Sequence, residues 1–237
     1  MTDHPVAAFD DWLAARRQLL IEEKELTRLR DRIAAERRAV PWRRIEKDYR
    51  FDGPEGPDAP FASLFGGKRQ LLVYHFMYAP EWDAPCKSCS FWADGFNGVG
   101  PHLAARDTRL VVVSRAPREK LEATAKRLGW TFPWYSAGDG PFNYDLHVSF
   151  KPDQVAGGIA VRYNFGPLVT NQTDLPGISA FIHEPDGAIY QTYSAYARGL
   201  ELINPAYQLL DLTALGRQEE GLARSMSWVR MHDEYGA

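Results

Sequence analysis

The chain has 237 residues, of which 45% are hydrophobic and 25% charged, with a formal net charge of -3. This is the composition of a globular protein; it excludes a disordered or collagen-like chain, and the length can bury an α/β core without disulfide staples. No run approaches the roughly 18 apolar residues of a membrane helix, and the N-terminus lacks the basic start and apolar stretch of a signal peptide, so a cytoplasmic protein without membrane contact is expected.

From about Phe9 to Arg38 the sequence reads as one helix, with Asp10 or Asp11 as N-cap and no Gly or Pro inside. Trp12, Leu19, Leu26 and Ile33 recur every seventh residue and call for a partner surface, either the chain's own domain or a second copy in a homodimer. Glu22 and Glu36 interrupt a continuous coiled-coil seam. Residues 16–50 hold 12 Lys/Arg against 7 Asp/Glu, but the acids are interleaved with the bases, as on a solvated helix face. No nucleic-acid partner is expected.

Pro41 ends the helix, and Gly53, Pro54, Gly56, Pro57 and Pro60 read as a turn-rich linker. The expected organisation is a helical extension over 1–50, a main domain over 51–215, and a tail over 216–237 packed on that domain. Leu71 to Tyr78 is a continuous apolar run, which marks a strand buried on both faces. Ser90 to Arg106 is helical but interrupted by Gly95, Gly98, Gly100 and Pro101. Leu110 to Ser114 reads as the next buried strand, and Arg118 to Leu128 as a helix closed by Gly129. Strand, Cys motif, helix, strand, helix is a βαβα order with parallel pairing. Trp130 to Tyr135 reads as a short strand and Phe142 to Asn164 as an insertion. Gly177 to His183 and Ala188 to Tyr196 then form a hairpin around Glu184-Pro185-Asp186-Gly187, and Leu200 to Leu212 reads as a C-terminal helix.

The only cysteines are Cys86 and Cys89, a spacing that chance would give about one time in a hundred. A disulfide closing so short a loop adds little stability, so reversible chemistry explains the pair better than a structural bridge. Thiol–disulfide exchange needs an attacking thiolate and a second sulfur close enough to resolve the mixed disulfide. At a helix N-terminus, with Lys87 beside it, Cys86 is expected to be acidic and nucleophilic; Cys89, one turn on, is the resolving thiol. His75, in the preceding strand, is a candidate proton relay to Cys89, and Trp82 a shield for the sulfurs. Arg115 and Arg198 could steer anionic substrates, although surface arginines usually do no such thing. Zinc binding would need a second ligand pair, which the histidines do not supply, and covalent haem attachment is excluded by Ser90 in place of His. No cofactor or metal is expected. Two other readings use the same residues: a thiol peroxidase of peroxiredoxin type, and a binding module whose dithiol senses redox state or is inert.

The order of elements around Cys86-Lys87-Ser88-Cys89 resembles the thioredoxin fold, in which a cis-proline faces the dithiol. Leu175-Pro176-Gly177 stands in the corresponding place, and a cis bond at Pro176 would serve to expose backbone groups that pair with a substrate strand. More specifically, the whole chain resembles the bacterial thioredoxin-like family catalogued as domain of unknown function 899. The resemblance is carried by Glu36-Arg37-Arg38-Ala39-Val40-Pro41-Trp42, Tyr74-His75-Phe76-Met77, Cys86-Lys87-Ser88-Cys89-Ser90-Phe91, Val113-Ser114-Arg115-Ala116-Pro117, Phe142-Asn143-Tyr144-Asp145 and Thr192-Tyr193-Ser194-Ala195-Tyr196-Ala197-Arg198-Gly199. It implies an α/β, thioredoxin-like central sheet flanked by helices, with an N-terminal helical extension and an insertion before the final hairpin. It also implies a dithiol–disulfide oxidoreductase. Its partners would be a disulfide-containing protein or small-molecule substrate and an electron donor. The chain departs from ordinary thioredoxins in the dipeptide between the cysteines, which tunes the redox potential. The buried acid of the preceding strand is also missing, because Tyr74 and His75 occupy that region.

Overall fold

A computed structural model of the chain describes residues 4–236. Two units separate after Pro41. The first is helix α1 (Phe9–Ala39), uninterrupted because no Gly or Pro falls inside it. Its N-cap is Ala8, which makes no side-chain cap. The expected Asp cap is therefore corrected: Asp10 and Asp11 lie within the first turn, where their charge complements the helix dipole. Trp12, Leu19 and Leu26 are exposed.

In the second unit the strands are β1 (Arg43–Ile45), β2 (Arg50–Gly53), β3 (Gly56–Pro60), β4 (Gln70–His75), β5 (Thr108–Ser114), β6 (Trp134–Ser136), β7 (Val161–Tyr163), β8 (Gly166–Leu168), β9 (Gly177–His183) and β10 (Ile189–Tyr196). Among the described residues β7 and β8 pair with each other and the rest form one sheet in the order β1-β10-β9-β4-β5-β6-β2-β3. The central strand β4 runs parallel to β5, with Val73 opposite Val111, and antiparallel to β9, with Val73 opposite Ser179. The β5-β4-β9-β10 core, with a helical connection from β4 to β5 and a hairpin from β9 to β10, is the thioredoxin-like arrangement. The helices of this unit are α2 (Lys87–Ala93), α3 (Gly100–Ala104), α4 (Arg118–Arg127), α5 (Phe142–Asp145), α6 (Pro152–Ala156) and α7 (Pro205–Leu210).

Because successive strand residues point to opposite faces, the sheet separates two cores. Leu71, Val73, Val111, Val113 and Phe181 meet Phe51, Phe61 and Phe142 on one face. Tyr74, Leu110 and Val112 meet Cys89, Trp92, Phe96 and Trp134 on the other. Each fully buried Val, Leu or Phe stabilises the fold by about 1.5–3 kcal/mol relative to its exposed state.

Several segments differ from the sequence expectation. The Gly/Pro-rich stretch after residue 50 is the hairpin β2–β3, and β1 pairs with β10, so residues 42–50 contribute a sheet edge in the second unit. Gly53 is required there, since a Cβ would come within 2.1 Å of the Tyr135 ring. The apolar run from Leu71 leaves the strand after His75. Beyond it, Phe76 N–H donates to the Val113 carbonyl at 2.9 Å and Ala116 N–H to the Tyr78 carbonyl at 2.7 Å, so the chain stays anchored while it bends toward the cysteines. The short strand expected from Trp130 is confined to Trp134–Ser136. The expected insertion contains α5, α6 and β7. The expected C-terminal helix is broken into a 3-10 segment (Ala197–Ile203) and α7, because Pro205 cannot donate to the previous turn. Asn204 restarts the helix by accepting the Tyr207 N–H at 3.0 Å. In the segment after α7, Val229 and Met231 are buried.

Candidate active site

The cysteines sit where β4 hands over to α2. Cys86 is the N-cap of α2, and its N–H donates to the Met77 carbonyl at 3.1 Å, tying the motif to the end of the strand. Lys120 donates to the Pro80 and Trp82 carbonyls at 2.8 Å each, which braces the intervening loop. The Ser90 hydroxyl and N–H both donate to the Cys86 carbonyl at 3.0 Å. These contacts orient the first turn, so that Cys89 N–H donates to the Cys86 Sγ at 3.5 Å.

The two cysteines are unbonded and 3.7 Å apart. Cys89 is 2% exposed, whereas Cys86 is partly exposed. A hydrogen bond from the Cys89 thiol, reinforced by the backbone N–H groups of Cys89 and Ser88, holds the Cys86 thiol down at about 7 despite its burial. Burial pushes the Cys89 thiol far up, and the neighbouring Cys86 charge adds to that shift. One sulfur is thus suited to attack as a thiolate and the other to wait as a thiol.

Beneath Cys89, Tyr74 lies close enough for its hydroxyl to favour the ionised sulfur. Burial raises the Tyr74 pKa well above its ordinary value, so the phenol stays protonated and remains available as a donor when Cys89 ionises. Sequence reasoning noted Tyr74 only as the occupant of a missing acid's region. Its position on the Cys89 face follows from strand alternation, once the edges of β4 are known.

The same alternation places His75 on the opposite face. It packs 5.8 Å from the Phe142 ring and shares a 2.9 Å hydrogen bond with Ser179 Oγ, and burial depresses its pKa to about 3. The expected relay from His75 to Cys89 is corrected: the ring is neutral and the sheet lies between it and the sulfurs. Lys87 is exposed at the first helical position. Trp82 is half-buried against the core on the cysteine side. Arg115 is 6% exposed and paired with Asp174, so it holds the fold and steers nothing.

Pro176 does face the dithiol, but its peptide bond is trans, since no cis bond occurs among the described residues. Its carbonyl accepts the Tyr163 hydroxyl at 2.7 Å. That carbonyl is therefore not free to pair with a substrate strand. Cys86, Cys89, Tyr74, Met77 and Pro176 line a cavity of about 520 Å³, closed on its far side by Ala197, Arg198, Glu201, Tyr207, Arg217, Glu219 and Met226. This C-terminal wall was not visible from sequence, apart from Arg198. Among the described residues no group of three or more His, Cys, Asp or Glu side chains is arranged to hold a metal ion. No described helix is long and apolar enough to cross a membrane.

A family model described as a bacterial protein of unknown function (DUF899) matches residues 1–235. The chain belongs to this family. No curated protein matches the sequence. Among solved structures, this DUF899 chain is similar to peroxiredoxin Q from Xanthomonas campestris, with 15% identity and a TM-score of 0.43 over 68% of this chain and 90% of that one. It is similar to the peroxidoxin BcpB from Mycobacterium tuberculosis at 13% identity and a TM-score of 0.43, covering 69% and 94% of the two chains. A secreted Mycobacterium tuberculosis disulfide oxidoreductase homologous to E. coli DsbE shows 14% identity and a TM-score of 0.37, over 63% and 84%.

Proposed function

We propose that this DUF899 protein is a thiol–disulfide oxidoreductase in which Cys86 is the nucleophile and Cys89 the resolving thiol. The single observation that carries this reading is the paired cysteines at 3.7 Å whose acidities are driven in opposite directions by their surroundings. The Cys86 thiolate attacks one sulfur of a substrate disulfide, forms a mixed disulfide and releases the other half as a thiolate. Cys89 then attacks Cys86 Sγ and passes its proton to the second departing sulfur. The substrate gains two electrons and becomes two thiols, while the protein is left with a Cys86–Cys89 disulfide. An external dithiol, the electron donor, restores the reduced pair.

Tyr74 supports the second step. A protonated phenol against Cys89 can stabilise the charge that develops there, together with the Met77 backbone N–H.

The test is the Cys89→Ser variant treated with a disulfide. A stable mixed disulfide at Cys86 is expected; adduct formation only at Cys89 in the reciprocal Cys86→Ser variant would reverse the roles. Hydrogen peroxide consumption faster than disulfide reduction would replace the reading with the thiol peroxidase. No reaction with either would leave the inert module.

A further inference from the structure

The cysteine pair opens into a cavity, and the strand edge beside it is already occupied. Capture of an extended peptide would need free backbone groups next to Pro176. Pro176 has no N–H to offer, and its carbonyl is taken by the Tyr163 hydroxyl at 2.7 Å. The same hydroxyl accepts the Ala197 N–H at 3.0 Å, closing the neighbouring turn, and the Leu175 N–H donates to the Val148 carbonyl at 2.9 Å. A protein strand therefore finds these three backbone groups already engaged. The cavity volume of about 520 Å³ is instead that of a small-molecule site.

The charged wall of the cavity narrows the ligand class. Glu219 is engaged by the Tyr207 hydroxyl and the Trp228 indole, both at 2.7 Å, and by the Met226 N–H at 2.9 Å. Arg217 grips Asp211 through two nitrogens at 2.7 Å, reaches Glu201 at 3.2 Å and lies 4.0 Å over the Tyr207 ring. Arg198 differs. Its Nε binds Glu201 at 2.8 Å, its side chain is 89% exposed, and among the described residues its two terminal nitrogens have no partner. Ala197, held at φ 47°, turns the chain at the end of β10 and sets Arg198 on the cavity wall. Such backbone is strained for a residue with a side chain, and here the Tyr163 contact holds it.

We propose that the Cys86–Cys89 pair acts on a low-molecular-weight disulfide that bears a carboxylate, anchored by the terminal nitrogens of Arg198. The inference rests on the oxidoreductase reading and adds the substrate class. The balance is unchanged: the small disulfide gains two electrons and two protons to become two thiols, and the protein pair is oxidised to its disulfide.

The test times the oxidation of the reduced protein by dithiodiglycolate, which carries two carboxylates, by uncharged hydroxyethyl disulfide, by cationic cystamine and by insulin. Each rate is divided by that of dithiothreitol with the same disulfide, which removes intrinsic reactivity. The normalised rate with dithiodiglycolate is expected to exceed that with hydroxyethyl disulfide by roughly fivefold, the effect of one exposed charge contact, with insulin and cystamine slower still. Arg198→Gln is expected to abolish the preference and Arg198→Lys to keep part of it, while Cys86 alkylation by uncharged iodoacetamide stays as in the unaltered protein. Insulin reacting fastest, a preference that survives Arg198→Gln, or alkylation that falls in parallel would overturn the inference and leave the oxidoreductase reading standing. If none of the four oxidises the pair, it is the oxidoreductase reading that fails.

Discussion

Arg115 and Asp174 form a two-point ion pair, with Nε to Oδ1 at 2.9 Å and Nη2 to Oδ2 at 2.7 Å, that joins the end of β5 to the segment entering β9. The side chains are 6% and 5% exposed, and the hydroxyls of Ser149 and Thr173 donate to the same carboxylate at 2.6 and 3.0 Å. Asp174 is two residues before Pro176, so this buried cluster holds Pro176 against the dithiol.

Removing one partner of this pair strands the other charge. Asp174→Ala is expected to lower the unfolding free energy by about 3–5 kcal/mol in urea titrations. The double variant Arg115→Met with Asp174→Leu should recover most of the loss, because no buried charge is left. A single variant as stable as the parent would show that the cluster is hydrated.

The thiolate at Cys86 forms as pH rises through about 7, so alkylation of Cys86 should increase across that value. The Cys89 thiol is the largest contribution to that acidity. In Cys89→Ala the midpoint should therefore move upward toward an ordinary thiol, read by ultraviolet thiolate absorbance. An unmoved midpoint would assign the acidity to the backbone donors alone.

His75 is neutral when folded, with its pKa depressed by burial to about 3, while in the unfolded chain it titrates near 6.5. The unfolded state then binds the extra proton between these values, so stability is full above 6.5 and falls as pH drops toward 3. Relative to His75→Leu, the protein should lose up to about 1.4 kcal/mol for each pH unit in that window, measured by urea unfolding at several pH values. Cys86 alkylation should be the same in both, since the ring lies on the other face of the sheet.

Glu219 gathers the Tyr207 hydroxyl, the Trp228 indole and the Met226 N–H around one oxygen. Glu219→Ala leaves these part-buried donors unpaired, at a cost of about 1–3 kcal/mol. Limited proteolysis within residues 213–231 should accelerate, because few other regular hydrogen bonds hold that segment. Unchanged cleavage would mean that apolar packing of Val229 and Met231 suffices to hold the wall.

Much of this site was legible along the chain. The apolar run from Leu71, the adjacent Cys86 and Cys89, and the hairpin at Glu184 to Gly187 are local patterns, and each appears in the structure near its expected place. The Gly/Pro stretch around residues 53–60 was misleading, because turn residues mark both linkers and hairpins. What distinguishes them is the pairing of Asp52 with Ser136, a contact between distant segments. The C-terminal wall was hidden for a similar reason: residues 213–231 have little periodicity and gain their positions from partners such as Glu219.

The amino-acid order alone marked the first helix, the central strands, the last hairpin and two sulfurs one helical turn apart, since helix and strand periods act over a few residues. Tertiary structure decided which face each residue meets. It set Tyr74 under Cys89 and turned His75 away, gave the Pro176 carbonyl to Tyr163, buried Arg115 with Asp174 and paired Arg198 with Glu201 through Nε at the cavity. These outcomes depend on desolvation and on hydrogen bonds between segments far apart in sequence, which no local pattern encodes.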